Sequence, residues 1–281
     1  MQQRHITIAL LRKFQRFLVH EERETGTIEK YLRNVRQFSS WLGCNQVTKE
    51  SSAKWKEYLL LTGYHPVTVN SMLSALNRFF LCVGWHDCKV KYLRIQHQIF
   101  RSVEKELTKE EYGSLLRTAL NLGRERIALL METICATGIR VSEVQYITVE
   151  AARQGCAEVS LKGKIRTILI PRKLCQKLIK YSRKQKIASG EIFLTKSGKR
   201  LSRRQIWAEM KALCKKSGIP SSKVFPHNLR HLFARTFYQV CRDIVKLADV
   251  LGHSSIETTR IYLISTSAEH ARQLERLGLM C

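Results

Sequence analysis

A mainly α-helical chain with one small β-sheet, arranged as an N-terminal helical bundle followed by a larger mixed unit, is predicted by three observations. Apolar residues recur at helical spacing in segment after segment. One stretch near the middle switches to two β-rich runs about Lys162-Gly163-Lys164. A basic stretch without clear period separates the first hundred residues from the rest. The expected division is 1–88 for the bundle, 89–105 for a linker and 106–281 for the second unit, and 281 residues suffice for two cores.

Each element of the bundle has a local cause. Residues 7–20 carry Ile8, Leu11, Phe14 and Leu18 on one face. Thr25-Gly26-Thr27 opens a second helix whose inner face is Ile28, Tyr31, Leu32, Val35, Phe38 and Trp41-Leu42, ended by Gly43. Thr48-x-x-Ser51 opens a third, with Trp55, Tyr58 and Leu59, stopped at Gly63. Pro66 precedes a fourth, lined by Val69, Met72, Leu73, Leu76, Phe79, Phe80 and Val83. In the second unit, Thr108-x-x-Glu111 is a capping box for a helix to about 120. Helices near 123–136 and after Gly138, the hairpin within 157–171, and helices near 173–188, 203–217, 227–240, 243–251, 255–264 and 267–277 complete the pattern.

Composition narrows the function. Forty-nine Lys and Arg against 23 Asp and Glu give a formal charge of +26, with the basic residues spread along the chain. A surface of that sign fits phosphate backbone, because neutralising phosphates releases condensed counterions; a ribosome or an anionic membrane are the other partners it suits. At 44% hydrophobic the chain is not a disordered polycation. No apolar run approaches the roughly 18–20 residues of a membrane span, and the start, MQQRHITIALLRKF, lacks the form of a secretory signal. The nine cysteines are odd in number, irregularly spaced and without a C-x-x-C pair, which fits a reduced cytoplasmic protein.

Three segments of the second unit carry chemistry. In Ala136-Thr137-Gly138-Ile139-Arg140-Val141-Ser142-Glu143, Gly138 ends one helix and leaves Arg140 at the start of the next, where backbone N–H groups also favour an anion. In Pro226-His227-Asn228-Leu229-Arg230-His231, His227 and Arg230 share a helix face. His227 and His231 have zinc-ligand spacing, but Asn228 stands where a zincin needs Glu and no third ligand is near. In Leu251-Gly252-His253-Ser254-Ser255-Ile256-Glu257, Gly252 closes a helix and Ser254 with Glu257 forms a capping box. His253 then lies in the turn and Tyr262 about two turns along the next helix. Taken singly, each has an ordinary explanation: a surface arginine, a basic helix start, a capped histidine, a half-buried tyrosine.

Together, Arg140, His227-x-x-Arg230, Leu251-Gly252-His253 and Tyr262 resemble the catalytic domain of the tyrosine recombinase (phage integrase) family, over roughly residues 107–270 and in its short, Xer-like form. The first hundred residues resemble that family's SAM-like core-binding domain by helix count. The resemblance implies an α+β catalytic domain and site-specific DNA recombination through a covalent 3′-phosphotyrosyl intermediate, with integration, excision, inversion or resolution as outcomes. Tyr262 matches the nucleophile. Arg140 and Arg230 match the guanidiniums that clamp the non-bridging oxygens with planar forks. His227 matches the general base and His253 a second phosphate donor. Glu143 matches an acidic residue that orients the cations. The leaving 5′-oxygen takes its proton from a hairpin lysine, matched by Lys162, which precedes the glycine, with Lys164 in reserve.

A phenol is a poor nucleophile at neutral pH, since ionising one there costs about 4 kcal/mol. The site must therefore remove the proton during attack. The phosphotyrosyl ester keeps the free energy of the broken bond, so the scheme calls for no cofactor, metal or nucleotide. The implied partners are double-stranded DNA clasped by both domains and a homotetramer on two recombination sites. Accessory DNA-bending proteins would assist, and no membrane is involved. The tail, with Ala268, Ala271, Leu274 and Leu277 at helical spacing, suits docking on a neighbouring subunit. The expected setting is the cytoplasm, on the nucleoid, for a mobile element or a bacterial chromosome. A type IB topoisomerase or telomere resolvase shares this chemistry, and a non-catalytic DNA-binding regulator would keep only the basic surface.

Overall fold

The structure, a computed structural model, describes residues 4–95, 105–161, 164–253 and 255–262, with only the backbone of residues 161 and 164. The chain divides into two compact units, Met1–His97 and Gln98–Cys281. No helix among the described residues is long and apolar enough to cross a membrane.

Four helices make the first unit: α1 Ile8–His20, α2 Thr25–Leu42, α3 Lys49–Leu61 and α4 Pro66–Val83. Thr48, expected to open α3, caps it through a reciprocal pair with Ser51, and Pro66 occupies the first turn of α4. The apolar faces close on one core in which Phe14, Phe38, Trp55, Leu73, Phe79 and Phe80 are fully buried. Phe38 meets Trp55 edge-on at 5.7 Å and Phe80 at 6.3 Å, the arrangement that ring quadrupoles favour. The segment expected to serve as linker is held on α4 as far as Leu93. Asn77 both donates to the Val90 carbonyl and accepts from its N–H, and Asn70 does the same with Leu93.

The second unit contains α5 Lys109–Asn121, α6 Glu125–Thr137, α7 Val149–Gln154, α8 Arg172–Lys184, α9 Arg203–Ser217, α10 Pro226–Cys241, α11 Ile244–Leu251 and α12 Ile256–Arg260. Strands β1 Cys156–Leu161 and β2 Lys164–Leu169 pair antiparallel from Cys156↔Leu169 to Leu161↔Lys164. The two-residue period turns Ala157, Val159 and Ile168 into the core and leaves Ile165 and Leu169 in solvent. Arg166 pairs with Val159 and so shares the inward face.

Three local expectations need correcting. The helix expected after Gly138 is a single 3-10 segment, Val141–Tyr146. The cap of α12 is Ser255, whose hydroxyl accepts from the Glu257 N–H; Ser254 lies outside the described residues. That helix ends at Arg260, so Tyr262 sits in the turn just past it, its N–H bonded to the Thr259 carbonyl at 3.0 Å. The helix expected at 267–277, with its amphipathic face, lies outside the described residues.

Candidate active site

Two left-handed glycines position the site. Gly138 ends α6 at φ +65°, and a Cβ there would strike the Phe233 ring of α10. Gly252 ends α11 at φ +63°, with the Arg166 side chain lying across its Cα. Both turns need a residue that tolerates positive φ and has no side chain to obstruct a neighbour. The carbonyl of Gly138, together with that of Leu251 just before Gly252, then accepts from Arg230.

Arg230 is only 1% exposed. Its Nη1 donates to the Gly138 carbonyl, and its Nη2 to the Leu251 carbonyl at 2.8 Å and to His253 Nε2 at 2.9 Å. Burial and the nearby Arg140 lower its pKa, while the neighbouring Tyr262 phenol and Glu143 carboxylate oppose them. A guanidinium keeps its proton under such a shift. Its burial is compensated by carbonyl dipoles rather than by a carboxylate bonded to it.

Arg140 is the outer cation, with its side chain 41% exposed. The backbone N–H expected there to favour an external anion is already taken: it donates to Glu143 Oε2 at 2.7 Å, and Arg140 Nη1 donates to Oε1 at 2.9 Å. Glu143 also receives Arg166 Nη2. Burial pushes the Glu143 carboxyl up, but the Arg140 N–H and the Arg166 and Arg140 charges outweigh it and hold the group below the usual carboxylate range. Arg166 in turn donates from Nη1 to the Val250 carbonyl at 2.9 Å, which ties β2 to the turn carrying His253.

The histidines and the tyrosine form one group. Tyr262 is 2% exposed and packs with Ala234, Leu247 and Leu251. His253 stacks on its ring at 5.8 Å and 11°, and His231 meets it at 4.5 Å. His227 lies 4.6 Å from His231 and 6.3 Å from the Tyr262 ring. Burial lowers the pKa of His227, helped by Arg230 and Arg140. Burial, then Arg230, Arg140, Arg166 and His227, push His253 down to about 4, so it is neutral at physiological pH. An arginine N–H only donates, so His253 Nε2 accepts from Arg230 and the proton lies on Nδ1, 2.9 Å from the Thr259 hydroxyl.

Of the residues singled out in the sequence, Arg140, Glu143, His227, Arg230, His253 and Tyr262 therefore come together within one unit. Lys162 lies outside the described residues, and Lys164 is described only as backbone, at the start of β2. Three participants were not read as site residues. Arg166 had a signal, since period-two alternation puts it on the buried face of its strand. His231 had one too, being four positions from His227, although that spacing suggested a metal; among the described residues no group of His, Cys, Asp and Glu is arranged to hold one. Thr259 had none. Asn228, which displaces the zincin glutamate, is buried and donates to the carbonyls of Lys105 and Lys223.

Residues 105–269 match the phage integrase family, and residues 11–83 match the N-terminal SAM-like domain of phage integrases. Tyrosine recombinase XerA of Thermococcus kodakarensis is 28% identical over 273 residues, covering 95% of this chain and 94% of that protein. Tyrosine recombinase XerD of Xanthomonas axonopodis pv. citri is 28% identical over 292 residues, covering 94% of each. The fold matches a lambda integrase in a tetramer bound to a Holliday junction, with TM-score 0.72 and 18% identity over 90% of this chain and 76% of that one. It also matches the Tn1549 transposon integrase in complex with transposon right end DNA, with TM-score 0.70 and 16% identity over 96% and 99%.

Proposed function

Because this chain belongs to the phage integrase family and is a tyrosine-type site-specific recombinase, we propose that Tyr262 is its nucleophile and that Arg140, Arg230, His227 and His253 surround the scissile phosphate. The observation that carries this reading is the Tyr262 ring stacked on His253, which accepts from buried Arg230, and lying 6.3 Å from the His227 ring. Attack makes a Tyr262 Oη–phosphorus bond and breaks the bond from phosphorus to the 5′-oxygen. His227, kept neutral, is the base that takes the phenolic proton. Arg140 and Arg230 meet the charge that grows on the non-bridging oxygens, and Glu143 holds Arg140 in place without reacting. A hairpin lysine, Lys162 or else Lys164, returns a proton to the leaving oxygen.

The substrate is duplex DNA, which a charge of +26 suits. We assign residues 1–88 and 106–281 as the two DNA-contacting domains, joined by 89–105. We propose a homotetramer on two sites, assisted by DNA-bending proteins, and a cytoplasmic, nucleoid-associated setting. If about ten phosphates are neutralised, log K falls against log[salt] with a slope near −9.

The test is covalent capture. Nicked duplexes randomised over the binding region are incubated with the full chain, denatured, and recovered from the protein. Wild type retains a selected duplex covalently, and Tyr262→Phe binds it at unchanged affinity without an adduct. An adduct that persists in Tyr262→Phe, or tight binding by wild type that never becomes covalent, overturns the assignment; the second result favours a DNA-binding regulator.

A further inference from the structure

The Arg230–His253–Thr259 chain poses a problem for the reading above, on which this inference rests. A phosphate donor at His253 must carry a proton on the nitrogen facing the phosphate, yet Nε2 accepts from Arg230. Both nitrogens are engaged, and the second partner is a hydroxyl, at 2.9 Å from Nδ1. Thr259 is fully buried, on the last turn of α12, and its Oγ1 is held against the imidazole three residues before Tyr262. A hydroxyl differs from a carboxylate or carbonyl in that role: it accepts from an imidazole N–H or, after rotating, donates to a bare imidazole nitrogen. The groups facing His253 are otherwise cationic or neutral, namely Arg230, Arg140, Arg166 and His227, so the ring is uncharged in the free protein.

We infer that Thr259 is a positioning residue that lets His253 exchange tautomers as the phosphate arrives. Without DNA the imidazole carries its proton on Nδ1, donates to Thr259 Oγ1 and accepts from Arg230 at Nε2. When a phosphate oxygen takes the Arg230 N–H, the imidazole gives up the Nδ1 proton and takes one at Nε2 through water, remaining neutral. Thr259 keeps its own proton, which turns to point at Nδ1. Nε2–H is then free to donate to the same phosphate. The ring keeps two partners in both forms, which fixes its plane against the Tyr262 ring. The partner bonded to one ring nitrogen decides what the other can do, and loss of the partner behind a metal-ligating histidine, an analogous arrangement, costs about 10–100-fold in affinity or activity.

Long-range proton–nitrogen correlation of the full-length protein, with histidine labelled in ¹⁵N and His253 assigned through His253→Gln, reads the tautomer directly. The free protein should show Nδ1 protonated and Nε2 bare. The covalent adduct with the duplex recovered by capture should show the reverse. Thr259→Ser, which keeps the hydroxyl, should form adduct within about threefold of wild type, whereas Thr259→Val should lose about 10–100-fold with unchanged DNA affinity. Nε2 protonated in the free protein, Nδ1 still protonated in the adduct, or a valine variant as fast as the serine one overturns the inference. If Thr259→Val does not fold, the two wild-type spectra and Thr259→Ser decide it. A wild type that forms no adduct defeats the functional reading instead, while the free-protein spectrum still reports on the Thr259 contact.

Discussion

In the first unit the largest buried side chains are aromatic: Phe14, Phe38, Trp55, Phe79 and Phe80 fill the space between four helices. In the second, a guanidinium and a carboxylate are buried as deeply, Arg230 at 1% and Glu143 at 2% exposure. The aromatic core is favourable by transfer from water and by ring-edge contacts, with no demand on partners. The charged pair would each cost several kcal/mol to bury alone. Arg230 is held by two carbonyls and a neutral imidazole, and Glu143 by two guanidiniums and a backbone N–H. The contrast separates burial that stabilises a fold from burial that preorganises charge. Donors already oriented and shielded from water need little reorganisation when charge develops on a phosphate.

Substitution of Arg230 by Met tests that division most severely. The side chain keeps roughly its volume and loses its fork, so adduct formation should drop on the order of 10²–10³-fold, or about 3–4 kcal/mol of barrier. The melting temperature should also fall, because the Gly138 and Leu251 carbonyls lose their buried donor at a cost of about 1–3 kcal/mol each. A large loss of stability with a near-normal rate would mean that Arg230 serves the fold.

Phe38→Ala is the counterpart in the first unit. It should cost about 3–5 kcal/mol in denaturant unfolding. Intrinsic fluorescence follows it, because Trp41, Trp55 and Trp85 lie in that unit and only Trp207 in the other. A change below about 1 kcal/mol would contradict the tight packing around the ring.

Acid should distinguish the units next. His253 titrates near 4 when folded and from about 6.5 when unfolded, so between those values the unfolded chain binds more protons. Stability of the second unit therefore falls as pH drops from about 6.5 to 4, with His227 adding in the same direction. The depressed Glu143 contributes only at lower pH: its stabilisation is present above the unfolded carboxylate range and is lost as pH falls through its folded value. Hydrogen exchange at pH 7.5 and 5 should show protection lost in α10 and α11 and kept in α2 and α4; uniform loss would erase the contrast.

The smallest expected effect is one the units share. Thr48 and Thr108 cap α3 and α5 by the same reciprocal geometry. Either replaced by Ala should cost about 1 kcal/mol, read as a shift in the denaturant midpoint of its own unit.

Much of this was legible beforehand because the signals are local. The capping box of α5, the start of α3 at Thr48, the prolines opening α4 and α10, the glycines closing α6 and α11 and the two β-rich runs each depend on residues within a few positions of one another. Where locality failed, a nearby competitor had won. The Glu143 carboxylate takes the Arg140 N–H, and a 3-10 segment follows instead of a longer helix. Ser255 rather than Ser254 supplies the oxygen for α12.

The amino-acid sequence by itself determined most of the helical segments, that two cores form, and which residue types stand ready for phosphate chemistry. Tertiary structure alone decided how far each is buried and what it touches. Arg230 finds the Gly138 carbonyl 92 positions away, Arg140 approaches the Gly252 carbonyl across 112, and Arg166 reaches Glu143 across 23. No periodicity encodes such partners, because they arise where separate helices and a strand converge. Burial and charge then set the protonation of His253 and Glu143 through groups that are distant along the chain and adjacent only once it has folded.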